Sequence, residues 1–382
     1  MEIIKGAYSD AHIFTTANIR TALDPNAAAQ LKMLCDNEVS KGSRIRVMPD
    51  VHPGKVGTIG LTMTVGDRIM PGLAGIDIGC GMTLAEIKTK NIEGKKADAV
   101  IRDSVPSGSF LRRKVHRLAG GFDFSDLACG AHIRTDRALL SLGTLGGGNH
   151  FIEIDRDEDG HFYIVIHSGS RSLGKEVTEY YLDRGQRYLN DQGLSVPYEL
   201  TWLEGSLMED YLHDTQALKA YASLNRKVIL DELAKGMKWK ILDTYECIHN
   251  YVDTDPGTLS LFGSPILRKG AVSAMKDQKV IIPINMKEGI LLGKGLGNTD
   301  WNCSAPHGSG RIMKREDVRK SFTVSAFKAQ MKGIYSSCIG KDTLDEAPFA
   351  YRSMEEIREA IGLTVRIDRV IRPVYSFKAG YR

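Results

Sequence analysis

The chain has 382 residues, 42% of them hydrophobic and 26% charged. This is ordinary globular usage with length enough for a large core, which excludes a disordered or collagen-like chain and a small disulfide-stapled scaffold. Lys plus Arg number 51 against 47 Asp plus Glu, a net charge of +4, which admits an anionic partner but cannot argue for one.

In chain order, the opening Met1-Glu2-Ile3-Ile4-Lys5-Gly6 has no basic stretch leading into an apolar one. No uninterrupted apolar run approaches the roughly 18 residues of a spanning helix, so a cytoplasmic protein without membrane contact is expected. Asp24-Pro25 opens a predicted helix running through Leu31 and Leu34, and 44–48 reads as a strand. Residues 151–154 and 161–167 follow as strands, then helices over 174–190 and most of 203–237. Strand 279–284 comes next; Ser353-Met354-Glu355-Glu356 fits a capping box ahead of Ile357 and Ile361, and a β-branched tail spans 364–377. No composition shift, proline-rich linker or repeat marks a second domain, so 1–382 is expected to form one catalytic unit of mixed α+β class, its sheets surrounded by helices. The six cysteines, at 35, 80, 129, 247, 303 and 338, form no CxxC and no regular framework, which points to a reducing compartment.

Glycine clusters at 72–81, 143–148, 169–174, 289–297 and 308–310, each beside polar residues, as where backbone must approach a ligand closely. Of ten histidines, His52, His150, His167, His249 and His307 lie in such contexts. Asp77-Ile78-Gly79-Cys80-Gly81 sets a carboxylate and a thiol three residues apart in a segment too glycine-rich for a helix, either a metal loop or a turn beside a buried cysteine. His167 closes the apolar strand Phe162-Tyr163-Ile164-Val165-Ile166 and opens Ser168-Gly169-Ser170-Arg171, whose hydroxyls, N–H groups and guanidinium suit a phosphate; a core histidine before an ordinary turn is the alternative. In Gly148-Asn149-His150-Phe151-Ile152-Glu153 a strand period puts Asn149, Phe151 and Glu153 on one face and His150 on the other, so metal and substrate can be served separately. His249-Asn250 adds a further nitrogen ligand or a satisfied helix histidine. One Asp, one Cys and three His suit Zn²⁺, Fe²⁺ or Mn²⁺, singly or as a thiolate-bridged pair, and disfavour Mg²⁺ or Ca²⁺. Ala305-Pro306-His307-Gly308-Ser309-Gly310-Arg311 frees a histidine from bulky neighbours, as for a nucleophile, a phosphate binder or a turn.

Taken together, Asp50-Val51-His52-Pro53-Gly54, Gly75-Ile76-Asp77-Ile78-Gly79-Cys80-Gly81, Gly148 to Glu153, His167 to Arg171, His249-Asn250, His307 to Arg311 and Arg372-Pro373-Val374 resemble, in family order and over nearly the whole chain, the RtcB family of RNA ligases. The resemblance implies joining of an RNA 3′-phosphate or 2′,3′-cyclic phosphate end to a 5′-hydroxyl end with GTP and Mn²⁺, in RNA repair or tRNA splicing. It implies one Mn²⁺ on Cys80, His167 and His249, a second on Asp77, Cys80 and His150, and GTP attack by His307 to form a histidine guanylate. Asn149 would lie near the phosphates and Glu153 near the guanine, with Tyr351 stacking on the base and Lys378 contacting it. His249, Asn250 and Arg311 complete the implied nucleotide site, and Arg171 is similar to a family arginine near the RNA end. Arg112-Arg113-Lys114 offers phosphate contacts or a solvated face.

The chain departs from the family where Pro283-Ile284-Asn285-Met286-Lys287-Glu288-Gly289-Ile290 lacks two serines that hold the nucleotide, with Lys287 or Lys294 as substitutes. A metal-dependent phosphoesterase acting on RNA ends without nucleotide, and a non-catalytic subunit that binds RNA ends beside a partner, are the competing expectations. Imidazole attack further implies activity that falls below a pH of about 6.5.

Overall fold

A computed structural model describes residues 1–16 and 23–379. The fold is mixed α and β. Seven strands form an antiparallel sheet in the order Lys240–Ile248, Gly81–Lys88, Phe162–Ser168, Phe151–Arg156, Val365–Lys378, Gly289–Gly295 and Lys279–Asn285. Six more form a second sheet in the order Glu2–Lys5, Asp10–Ile13, Ile45–Pro53, Thr58–Thr64, Ile266–Lys269 and Asn250–Asp253. A short ladder of Ala271–Ser273 with Ser304–Pro306 leads directly into His307.

The two faces of the larger sheet are both covered, which is why its inner strand Phe162–Ser168 reads as an apolar run from Phe162 to Ile166. Ile152, Ile154, Ile164 and Ile166 pack with Ile229, Leu233 and Met237 of the 33-residue helix Gly205–Met237. On the opposite face Phe151, Tyr163 and Val165 cluster with Val272, Ala305 and with Ile357 and Ile361 of the helix Met354–Ile361. The smaller sheet packs through Val47, Leu61 and Val252 against Leu31 of the helix Pro25–Cys35 and Tyr211 of Gly205–Met237.

The expected elements are present with shifted ends. Helix 174–190 is Arg171–Asp191, and strand 44–48 runs on as Ile45–Pro53, carrying Asp50 and His52 with it. The capping box forms as expected: Ser353 Oγ accepts from the Glu356 amide at 3.3 Å, and Glu356 Oε2 accepts from the Ser353 amide at 2.9 Å. His249 is in no helix; it is the single residue between strands Lys240–Ile248 and Asn250–Asp253, where the chain passes from one sheet to the other. Among the described residues no helix is long and apolar enough to cross a membrane.

Candidate active site

The turn ahead of strand Gly81–Lys88 closes with the Cys80 amide donating to the Asp77 carbonyl at 3.1 Å. Gly79 holds φ +79° there, and a Cβ on it would meet Ala222, the Leu218 carbonyl and Lys219 of the long helix at 2.8–3.0 Å. Only glycine satisfies both the dihedral and the contact. The turn presents Asp77 and Cys80 to one point.

Neighbouring strands supply the imidazoles. His167, in register with Met82 on one side and Phe151 on the other, puts Nε2 3.3 Å from Cys80 Sγ. His150 Nε2 lies 3.4 Å from the same sulfur and 3.0 Å from Asp77 Oδ2. His249, whose amide donates to the Cys80 carbonyl at 2.9 Å, brings its Nε2 to 3.3 Å from that of His167. The five side chains thus fall into two overlapping triads, Cys80–His167–His249 and Asp77–Cys80–His150, with the sulfur common to both.

These donors fit divalent cations. His150 Nδ1 donates to the Leu145 carbonyl at 2.9 Å and His167 Nδ1 to the Asn149 carbonyl at 3.2 Å, which turns both Nε2 lone pairs inward. Thiol, imidazole and carboxylate together match the borderline metals and disfavour Mg²⁺ or Ca²⁺. The electrostatics match as well. Burial pushes His167 and His249 well below the usual imidazole range, leaving them neutral and able to coordinate. Burial would raise Asp77, but His150, Arg171 and Cys80 together hold the carboxyl well below its ordinary value. Burial and then the Asp77 charge push the Cys80 thiol up, with Arg226 opposing, so a bound cation is what would favour its thiolate.

His307 sits at the mouth of this cluster, its ring centroid 4.8 Å from that of His249. Asp50 fixes its orientation: one carboxylate oxygen accepts from His307 Nδ1 at 2.6 Å and from its backbone amide at 3.2 Å. Nε2 is left with the lone pair. Asp50 is fully buried, and its carbonyl also accepts from His52 Nδ1 at 2.9 Å; burial pushes His52 down to about 4.

A cavity of about 130 Å³, open to solvent at its mouth, adjoins His307. Asn149, Phe151 and Glu153 line one wall, as their shared strand face requires, while His150 turns to the metal cluster. Arg311, Arg315, Tyr351 and Lys378 form another wall, held together from behind by Glu346. That carboxylate accepts from Tyr351 at 2.5 Å and Lys378 at 2.7 Å and pairs with Arg315 at 2.6 Å and Arg311 at 3.2 Å. Burial alone would raise Glu346, but Lys378, Arg315 and Arg311 hold it down to about 2. Burial lifts Glu153 to about 7, opposed by the Ser376 hydroxyl and Lys378.

Other sequence candidates lie outside the cavity walls. Asn250 braces the metal turn, its Oδ1 accepting from the Gly270 amide at 2.9 Å and its Nδ2 donating to the Asp77 carbonyl at 3.4 Å. Arg171 is turned away, donating to Thr144 Oγ1 and the Gly108 carbonyl, and Ser168 Oγ donates to the Leu145 carbonyl. Of the phosphate receptor expected at 168–171, Ser168 Oγ and the Arg171 guanidinium are thus spent internally and the Ser170 amide donates to Asp77, while the buried Ser170 Oγ has no partner among the described residues. Lys287 donates to Gln330, and Lys294 lines a different depression on the large sheet. In place of the missing serines the cavity has Pro283, Ile284, Asn285 and Met286. Arg112 pairs with Glu232. Three residues were given no role from the sequence: Asp50, which only heads the Asp50–Gly54 stretch, and Arg315 and Glu346, which had no signal.

The family model described as tRNA-splicing ligase RtcB matches residues 38–121 and 114–379. The RNA-splicing ligase RtcB of Escherichia coli (strain K12) is 31% identical over 376 residues, covering 87% of this chain and 90% of that protein. A second Escherichia coli protein, RNA-splicing ligase RtcB2, is 28% identical across 97% of this chain and 96% of its own length. The tRNA-splicing ligase RtcB of Archaeoglobus fulgidus is 27% identical over 82% of this chain and 83% of its own.

Proposed function

The chain belongs to the RtcB family, and from that premise we propose that it is an RNA ligase joining 3′-phosphate or 2′,3′-cyclic phosphate ends to 5′-hydroxyl ends, with GTP, two Mn²⁺ ions and a guanylate carried on His307. The observation that supports this most is the Asp50-oriented imidazole of His307 standing beside two triads that share one sulfur. Asp77, Cys80, His150, His167 and His249 would hold the ions, which supply Lewis-acid neutralisation of phosphate charge.

His307 gives its Nδ1 proton to the hydrogen bond with Asp50, so Nε2 is the nucleophile. Attack on the α-phosphorus of GTP forms the N–P bond as the bond to the bridging oxygen breaks, and pyrophosphate leaves with the electron pair. Asp50 then faces an imidazolium and stabilises its charge, the role a buried carboxylate plays behind a catalytic histidine. Transfer of the guanylate to an oxygen of the RNA 3′-phosphate frees His307. The 5′-hydroxyl next attacks that phosphorus and GMP departs; a cyclic phosphate is first opened by water.

Around this centre Asn149 lies toward the phosphates, an ionised Glu153 accepts from the N–H edge of guanine, and Tyr351 and Lys378 complete the base site with Arg311. His249 and Asn250 stand at its metal side, and Arg171 would meet the RNA end only by giving up its bonds to Thr144 and Gly108. The two sheets and their helices act as one catalytic unit, in RNA repair or tRNA splicing in the cytoplasm.

Incubation with Mn²⁺ and α-labelled GTP should leave an acid-labile, alkali-stable label that His307→Ala removes. No label with any nucleotide, at full metal loading, would overturn the proposal. The apolar Ile284 and Met286 in the cavity favour one second reading, a phosphoesterase that needs no nucleotide. Strict GTP dependence of product formation rejects it.

A further inference from the structure

Two consecutive residues in the long helix, Asn225 and Arg226, are fully buried and belong neither to the donor set nor to the cavity walls. Arg226 Nη1 donates to two backbone carbonyls at 2.9 Å each, Gly79 and Ser168. Those carbonyls belong to the residue before Cys80 and the residue after His167. Its other donors are anchored at Thr83, Ser223 and Glu246, between 3.2 and 3.3 Å.

Asn225 reaches the remaining loops. Its Oδ1 accepts from the Gly143 and Thr144 amides at 2.7 and 3.2 Å, while Nδ2 donates to the Thr144 carbonyl, Ser168 Oγ and the Gly169 carbonyl at 3.0–3.2 Å. The next carbonyl after Thr144, that of Leu145, is the one that orients His150, and the amide after Gly169 is the one that donates to Asp77. The pair is therefore one or two bonds from four of the five candidate ligands, which come from three separate loops.

We infer that Asn225 and Arg226 are positioning residues that set the spacing of the dinuclear site by clamping its three ligand loops to one rigid helix. This deepens the metal reading above and rests on it. Strand ends alone do not fix where a side chain lands; a buried amide and a planar guanidinium, each satisfied on several sides, do. Lysine cannot replace the fork, because one ammonium cannot reach Gly79, Ser168 and Thr83 together.

The test is titration of metal-free protein with Mn²⁺ alone, in competition with a chelator, for wild type, Arg226→Lys and Asn225→Ala, with the melting temperature of each metal-free protein recorded alongside. The expected result is a rise of about 10- to 100-fold in the Mn²⁺ dissociation constant, the usual effect of losing an outer-sphere partner. Should Arg226→Lys fail to fold, Asn225→Ala carries the test, since it strands no buried charge. Unchanged Mn²⁺ affinity in a folded variant whose metal-free melting temperature has dropped makes the pair a mere packing feature and overturns the inference. Wild-type protein that takes up no Mn²⁺ would instead defeat the metal reading itself.

Discussion

Replacing Glu153 by Gln should have opposite effects on stability and on nucleotide binding. The carboxyl is 3% exposed, its Oε1 accepting from Ser376 Oγ at 2.9 Å, and it shares a strand face with Asp155, whose two carboxyl oxygens have no partner among the described residues. Burial lifts Glu153 from its ordinary 4.5 to about 7. Below the lower value the group is protonated whether the chain is folded or not, and folding loses nothing. Between the two values the unfolded chain ionises first, so stability falls as pH rises, and above about 7 the full loss stands. That interval corresponds to about 3 kcal/mol. Gln carries no charge, so the variant should match the wild type near pH 4.5 and exceed it above pH 8. With an unfolding entropy of about 0.8 kcal/mol/K for a chain of this length, the gain is roughly 4 °C in Tm. Melts of both proteins, free of metal and nucleotide, at pH 5, 7 and 8.5 measure it. A difference that is flat with pH, or a variant that melts lower at pH 8.5, refutes the burial argument. GTP affinity should move the other way at pH 8.5, weakening about 10- to 100-fold as a charged acceptor is lost. An unchanged affinity takes Glu153 out of the base site.

Cys80→Ser exchanges the shared soft donor for a hydroxyl and should reduce bound Mn²⁺, counted by elemental analysis, to fewer than two ions per chain; full occupancy would deny the sulfur its bridging place. Asp50→Asn keeps the shape but disturbs the His307 tautomer, so the rate of guanylate labelling should fall by about 10²- to 10⁴-fold at unchanged metal content. A rate within twofold of wild type would show that His307 needs no orienting carboxylate. Glu346→Gln removes the anion from among Arg311, Arg315 and Lys378, and should weaken GTP binding about tenfold with a smaller effect on kcat; an effect confined to kcat contradicts its place behind the base site. Ser353→Ala, at a residue that does not line the cavity, should cost about 1 kcal/mol of stability through its lost cap and leave metal and nucleotide affinity alone.

Much of the site was legible because the chemistry sits in short segments. Asp77 and Cys80 share one turn, His150 and His167 begin and end adjacent strands, and glycines surround His307. What the sequence could not show is what arrives from far along the chain. Asp50 reaches His307 across 257 residues, and Glu346 reaches Lys378 across 32. The strand Gly81–Lys88 carries no clear strand signal although it lies inside the large sheet, second from one edge, because it begins with glycine and mixes Thr, Ala and Glu among its apolar residues. Lys240–Ile248, on the sheet's edge, is half exposed and polar at Asp243, Thr244 and Glu246, so it gave no period-2 signal. Ser168-Gly169-Ser170-Arg171 looks free in one dimension, yet Leu145 takes the Ser168 hydroxyl, Asp77 the Ser170 amide, and Thr144 and Gly108 the Arg171 guanidinium.

His249 has a mechanical consequence. As the single-residue link between strand Lys240–Ile248 of one sheet and Asn250–Asp253 of the other, it makes any cation gripped by its ring together with Cys80 and His167 a rivet through two slabs. Shear between the slabs would stretch the rivet's coordination bonds, so the preferred ionic radius is dictated by how closely two rigid layers abut, and loop plasticity has little say in it.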